Sequence, residues 1–319
     1  MALTQVPSGM IASTAQYTGF KNRFINACMR VAQRATSATV TAGTTVPTSS
    51  TGYPCVDRWF VYSTGANVTA AQVAGSSTIQ NRLQITGAAS VTAVGVGQRI
   101  EANNSYDLNG QTVTLSVDMA NSVLTSVTWT VNYATTANTF GTIGTPTKTQ
   151  IATGTFTVNS TVTNYNAQIT IPSAATTGIE VLFTVGAQTS GTWTIGNPQI
   201  ELGASATSFD ARPIGTELAL CQRYFQINGG TSGFPFVQGA VNAANDTRAS
   251  FPFPVSMRAT PTTTIAGTWA STNINGVAAP ALSALGTQGF VLQTYSTSAG
   301  GYYYYPNSAD DIMTFSAEL

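Results

Sequence analysis

The sequence predicts an all-β protein: two β-sandwich, jelly-roll-like domains joined by one short α-helix. Three observations carry this. Short runs of strictly alternating apolar and polar residues recur along the chain, separated by turn residues, as half-buried strands require. Charged residues make up only 8% of the 319 residues, against a usual ~25%, and Thr, Ser, Asn, Gln, Gly and Ala take their place. One segment alone, Thr216 to Phe225, carries a helical pattern. At this length two domains are the prior, each large enough to bury a core.

Taken in order, residues 1 to 20 contain Pro7, Gly9 and Gly19 and no sustained period, so they read as an extended arm. Residues 22 to 34 hold the clustered basic charge, Arg23, Arg30 and Arg34 beside Lys21, interleaved with Phe24, Ile25, Met29 and Val31. They read as a first strand and turn rather than a binding patch. Thr36 to Pro54 reads as a loop. Asp57 to Tyr62, Arg82 to Thr86, Thr112 to Met119, Thr128 to Tyr133 and Ile179 to Val185 read as strands, with Trp59 and Trp129 inward. Thr135 to Gln150 reads as an exposed connection, and Gly95-Val96-Gly97 as a loop between strands.

From Trp193 the chain reads as the last strand of the first domain. Trp193 and Ile195 share one phase, Ile200 and Leu202 the other, with Asn197-Pro198 between them. A period of two that flips across a proline predicts a bulge, because proline cannot donate to a ladder. The helix follows, with Thr216 as N-cap, Glu217 in the first turn and Arg223 in the last. Leu218, Cys221 and Phe225 lie on one side, Leu220 and Tyr224 on another. A helix of about ten residues needs tertiary or quaternary packing, so these five are the candidate subunit contacts. Residues 227 to 319 repeat the β composition as a smaller, compact sandwich. Phe251, Phe253 and Val255 suggest an edge strand among prolines, and Gly289 to Tyr295 and Ile312 to Leu319 read as late strands. The boundaries are thus an arm over 1–20, a sandwich over 21–211, a linker helix over 212–226 and a second sandwich over 227–319.

The stretch IELGASATSFDARPIGTELALCQRYF, Ile200 to Phe225, resembles a junction found in many bacteriophage tail-fibre and related virion structural proteins. There an ELG-x-x-AT-x-F segment closes a carbohydrate-binding-module-like sandwich and an ELALCQRYF-type helix follows. Weaker echoes are ALTQVPSGMI at 2–11, NRFINACMRVAQR at 22–34 and FPVSMRATPT at 253–262. The resemblance implies a virion fibre protein, non-enzymatic and homotrimeric, assembled in the bacterial cytoplasm. Its arm would dock on the baseplate or another virion protein, and its last domain would face a host glycan. The alternatives are a lectin-like carbohydrate-binding protein with no virion role, and a capsid-attached fibre or decoration protein.

The chemistry read from residue types is mostly exclusion. The chain has no histidine, which removes Ser-His-Asp and Cys-His arrangements and the commonest metal ligand. Cys28, Cys55 and Cys221 are widely spaced, which is neither a disulfide framework nor a zinc site; a Cys28–Cys55 bond is the one pairing left open. Twelve acidic and twelve basic residues cancel, so no basic stripe collects phosphates and no nucleic acid is expected. Sparse charge also does little to prevent self-association, which favours an oligomer. No membrane-length apolar run or signal peptide is visible. Carboxylate pairs for glycoside hydrolysis would come from Asp57, Glu101, Asp107, Asp118, Glu180, Glu201 and Asp210. Asp118 and Glu180 read as solvated and Glu201 as bridged to an arginine. The oxygen ligands calcium requires are present, but no loop has a recognisable spacing, and no cofactor is expected. Binding remains. Tyr302, Tyr303, Tyr304 and Tyr305 are the candidate glycan platform, with Trp269 beside them; the alternative is that alternate tyrosines are core.

Overall fold

The computed structural model describes residues 20–75, 77, 80–230, 236–243, 246–274 and 281–319. The arm over 1–19 lies outside them. The chain divides into two units, residues 1–218 with Leu319, and 219–318.

The first unit is two antiparallel sheets over one core. Its strands are β1 (Ser37–Val40), β2 (Phe60–Thr64), β3 (Val68–Ala74), β4 (Asn81–Thr86), β5 (Ala93–Ile100), β6 (Thr112–Asn121), β7 (Ser126–Ala134), β8 (Lys148–Thr157), β9 (Thr163–Thr170), β10 (Ile179–Val185) and β11 (Thr192–Leu202). One sheet has the order β1-β3-β4-β11-β6-β9, the other β2-β5-β10-β7-β8. Alternation sets the faces. Leu83 and Ile85, Val113 to Met119 at every second position, Trp193 and Ile195 enter the core with Val181, Phe183, Trp59 and Trp129. The register of β11 against β6 shifts between Gly196 and Gln199, and Asn197 has φ +47°. This is the bulge the Asn-Pro pair predicts.

The all-β class is what the structure has, but individual elements differ from the sequence reading. Residues 22–34 form no strand, and β1 falls inside the stretch read as loop. Gly95-Val96-Gly97 lies within β5. A Cβ on Gly95 would sit 2.1 Å from the Tyr62 ring, and one on Gly97 2.4 Å from Phe60, so the glycines let two rings lie over the backbone of the neighbouring strand. The segment read as a long connection from Thr135 ends at β8, and two isolated bridges, Thr136 with Thr139 and Gly141 with Pro146, fold it. A short helix, α1 (Ala102–Ser105), lies between β5 and β6.

The helix α2 spans Ile214–Gln222, two residues earlier than its predicted start. The Glu217 N–H already donates to the Pro213 carbonyl, so Thr216 lies inside the first turn and is not the cap. Phe225 opens the next strand rather than closing the helix.

The second unit contains β12 (Phe225–Gly229), β13 (Val237–Val241), β14 (Asp246–Pro252), β15 (Thr262–Ile265), β16 (Trp269–Thr272), β17 (Ala281–Leu285), β18 (Gly289–Tyr295), β19 (Gly300–Pro306) and β20 (Ile312–Ser316). They form three three-stranded sheets, β12-β20-β15, β13-β19-β16 and β14-β18-β17, rather than the two layers a simple sandwich would have. β14 is an edge strand, as expected beside prolines, but it ends at Pro252, so Phe253 and Val255 lie beyond it. The core is aromatic. Tyr304, Trp269, Phe236, Phe251, Phe290, Phe315 and Phe253 form a continuous series of ring contacts with centroids 4.6 to 5.6 Å apart.

Candidate functional site

The tyrosine run lies on β19, the central strand of its sheet, where successive side chains leave opposite faces. Tyr304 is fully buried and stacks on Trp269 at 5.5 Å with an interplanar angle of 7°. Tyr302 packs partly against the same core and lies over β13, where a Cβ on Gly239 would sit 2.7 Å from the Tyr302 hydroxyl oxygen. Tyr303 and Tyr305 leave by the outer face. Tyr303 is 44% exposed and Tyr305 half-buried.

Of the five residues proposed for glycan contact, Tyr304 and Trp269 are therefore corrections: both are core, and the Trp269 indole donates to the Ala266 carbonyl at 3.0 Å. Burial pushes the Tyr304 hydroxyl well above the usual phenol range, and the nearby Asp311 carboxylate adds to it. The alternation explains the split.

The outer face around Tyr303 is uncharged. Gln238 and Thr272 flank Tyr303 on the two neighbouring strands, and Ala270 flanks Tyr305. None of the strands β13, β16 and β19 contains a charged residue. Gln238, Thr272 and Tyr303 are exposed, so an aromatic face lies among an amide and hydroxyls. Such a surface can stack on an apolar ring face and hydrogen-bond neutral hydroxyls.

The candidate subunit contacts also divide. Cys221, Tyr224 and Phe225 are buried within the chain, whereas Leu218 is 37% exposed and Leu220 partly exposed. Only the two leucines are available to a partner. The cysteines are all free and buried, so the Cys28–Cys55 pairing is not formed. Burial pushes the Cys55 thiol up to about 11, which leaves it without thiolate character at neutral pH.

The junction residues perform a structural task that sequence reasoning missed. Asp210 Oδ2 accepts from the backbone N–H of Lys21 at 3.0 Å, and Arg212 Nη1 donates to the Phe24 carbonyl at 2.7 Å and to Glu217 Oε1 at 3.0 Å. Glu217 Oε2 accepts from the Asn26 N–H. The charged groups of the FDARPIGTE stretch thus hold the NRFIN segment against the sandwich. Glu201 is buried and accepts from Gln199 Nε2 and from Thr207 N and Oγ1 at 2.6 to 2.8 Å. These partners replace the expected arginine.

Glu180 also differs from expectation, being wholly buried rather than solvated. Arg99 Nε donates to its Oε2 at 2.8 Å, and Lys148 Nζ pairs with its Oε1. The Arg99 guanidinium in turn donates to the Gly141 carbonyl and lies 5.2 Å over the Phe140 ring, so the segment after β7 covers the pair. Asp118 accepts from Asn164 and Asn197, Asp107 pairs with Arg23, and Asp57 accepts from Gln33 and pairs with Arg34. Six of the seven carboxylates considered for hydrolysis, Asp57, Asp107, Asp118, Glu180, Glu201 and Asp210, are thus engaged in holding the fold. Among the described residues, no group of three or more Cys, Asp or Glu side chains is placed to hold a metal, and no helix is long and apolar enough to cross a membrane.

No protein-family model matches the chain, and no curated protein sequence matches it. Among solved structures, it is similar to the enzymatically active domain of a tailspike protein of bacteriophage CBA120, at 16% identity and a TM-score of 0.33, over 50% of this chain and 21% of that one. The chain thus spans about a fifth of that tailspike domain. It is also similar to a family 4 carbohydrate-binding module, at 13% identity and a TM-score of 0.38, over 56% of this chain and 98% of the module. A xylan-binding domain of family 22 aligns at 16% identity and a TM-score of 0.32, over 47% of this chain and 90% of that domain.

Proposed function

We propose that the protein is a non-enzymatic fibre protein of a phage virion that adheres to a host-surface glycan through the outer face of β13-β19-β16. The observation that carries the binding half is the uncharged sheet face bearing the exposed Tyr303 and the half-buried Tyr305. Electrostatic capture of a polyanion is a poor match to such a face, whereas ring stacking needs no charge. Support for the virion half comes from the junction: the residues that resemble the tail-fibre motif, Asp210, Arg212 and Glu217, are the ones that hold the chain's own 21–26 segment. They are built for position, not chemistry.

The contacts at a single site of this kind are few and affinity is low, so copies on one particle would act together. A homotrimer would provide this, with Leu218 and Leu220 on α2 as the available contact. The test has two parts. Mass spectrometry of purified particles should find the protein; its absence from virions would leave the lectin-like reading without a particle role. Glycan-array binding of neutral glycans by the full chain should weaken about tenfold in the Tyr303→Ala/Tyr305→Ala variant with the fold intact. Light scattering on the Leu220→Asp variant should give a smaller assembly than the parent.

A further inference from the structure

In the first unit, one concavity brings neutral hydroxyls around a cation whose side chain has no partner among the described residues. It is about 290 Å³, at the lower end of small-molecule sites, which run to ~300–1,000 Å³. Its floor is the outer face of the six-stranded sheet. Because Leu83, Ile85, Trp193 and Ile195 enter the core, the intervening Arg82, Gln84, Thr192 and Thr194 must leave by the other side. β4, β11 and β6 are neighbours there, with Thr194 opposite both Gln84 and Ala120. Ser122 and Ser160 complete the polar lining.

Two details single out Arg82. A Cβ on Gly196 would sit 2.8 Å from Arg82 Cγ, so the arginine stem lies over β11 where glycine leaves room. The Arg82 side chain has no hydrogen-bond or ion-pair partner among the described residues, unlike Arg23, Arg34, Arg99 and Arg212, each of which has a carboxylate partner. The acid on the same face, Asp118, has both oxygens occupied by amides, Asn164 Nδ2 at 2.9 Å and Asn197 Nδ2 at 2.7 Å. A guanidinium cannot shed its charge, and its planar fork matches a carboxylate.

We propose that this groove binds a carboxylate-bearing saccharide, a uronic-acid type of sugar, with Arg82 taking the carboxylate and Gln84, Thr192 and the serines meeting ring hydroxyls. One cation amid neutral hydroxyls fits a sugar with a single acid better than it fits a polyanion. The site is separate from the tyrosine face and does not depend on it.

The full chain is titrated by calorimetry with a uronic-acid trisaccharide, its carboxyl-reduced form, its sulfated counterpart and a glutamate-rich peptide. The carboxylated trisaccharide should bind about tenfold tighter than the reduced one, and added salt should weaken it. Arg82→Gln should abolish that preference with an unchanged unfolding midpoint, and Arg82→Lys should weaken it. Should Arg82→Gln fail to fold, Ser160→Trp, at an exposed rim position, should block binding instead. Tyr303→Ala/Tyr305→Ala should leave it intact, which separates this site from the glycan face. Equal affinity for acid and reduced forms, an unaffected Arg82→Gln, or tighter binding of the sulfated sugar or the peptide would overturn the proposal.

Discussion

The backbone N–H of Asn26 donates to Oε2 of Glu217 at 2.6 Å, across 191 positions of sequence. Asn26 is wholly buried with φ +57°, a conformation asparagine tolerates better than most residues. Its side chain donates to the carbonyls of Val31 and Asp57 and accepts from the Val31 N–H, and its own carbonyl accepts from the Trp59 indole. Asn26→Ala removes three buried hydrogen bonds and leaves a Cβ residue in the left-handed region. It should lower the stability of the first unit by about 3 kcal/mol or more, measured by urea unfolding. Asn26→Gly relieves the backbone and should cost less.

The buried Glu180 makes a second test. With Arg99 on one oxygen and Lys148 on the other, Glu180→Ala leaves an unpaired buried guanidinium and should destabilise by about 3 kcal/mol. Replacing Arg99 by Met together with Glu180 by Leu should recover most of that loss in the same unfolding assay. A double variant as unstable as the single one would mean that the cluster supports the fold in some other way.

Tyr304 and Tyr303 should behave oppositely. The Tyr304 hydroxyl is buried without a hydrogen-bond partner among the described residues, so Tyr304→Phe should leave stability unchanged or raise it by up to about 1 kcal/mol. Tyr304→Ala, which also strips the Trp269 stack, should cost about 4 kcal/mol. Tyr303→Ala should leave the melting curve in place, and with Tyr305→Ala should weaken glycan adhesion about tenfold.

Asp311 gives the second unit a pH dependence. Burial opposes its ionisation, but the backbone N–H groups of Thr268, Ser308 and Asn307 outweigh that and hold the carboxyl below its usual range. A carboxyl lowered in the folded state contributes stability that is complete above its unfolded value, ~3.9, and is lost as pH falls through the folded value. Melting scans should therefore show the second unit weakening only under acid, below about pH 4. Asp311→Asn should lower the midpoint at neutral pH and flatten the acid limb.

What the sequence disclosed followed from which signals were local. β10 and β18 span Ile179–Val185 and Gly289–Tyr295, the limits that alternation between turn residues marks. β5 was hidden, because Gly95 and Gly97 lower strand propensity while the reason for them, the rings of Tyr62 and Phe60, lies on another strand. In the candidate site, the period of two on Tyr302 to Tyr305 divided the tyrosines into pairs. Which pair faced outward depended on Trp269, which a reading of β19 alone cannot locate. Glu180 misled for a similar reason. Its polar phase was legible, but the covering segment around Phe140 and Gly141 was not.

The three sheets of the second unit share one arrangement: β12, β13 and β14 supply one edge of each, β15, β16 and β17 the other, and β20, β19 and β18 the centres. Both edges of every sheet therefore precede its centre in the chain, and neither edge has its ladder partner until that centre arrives. Assembly must wait for the final third of this segment and then close long loops, from β12 to β20 most of all, which is a slow class of topology. A ribosome that has not yet passed Gly289 carries the edges of all three sheets and the centre of none.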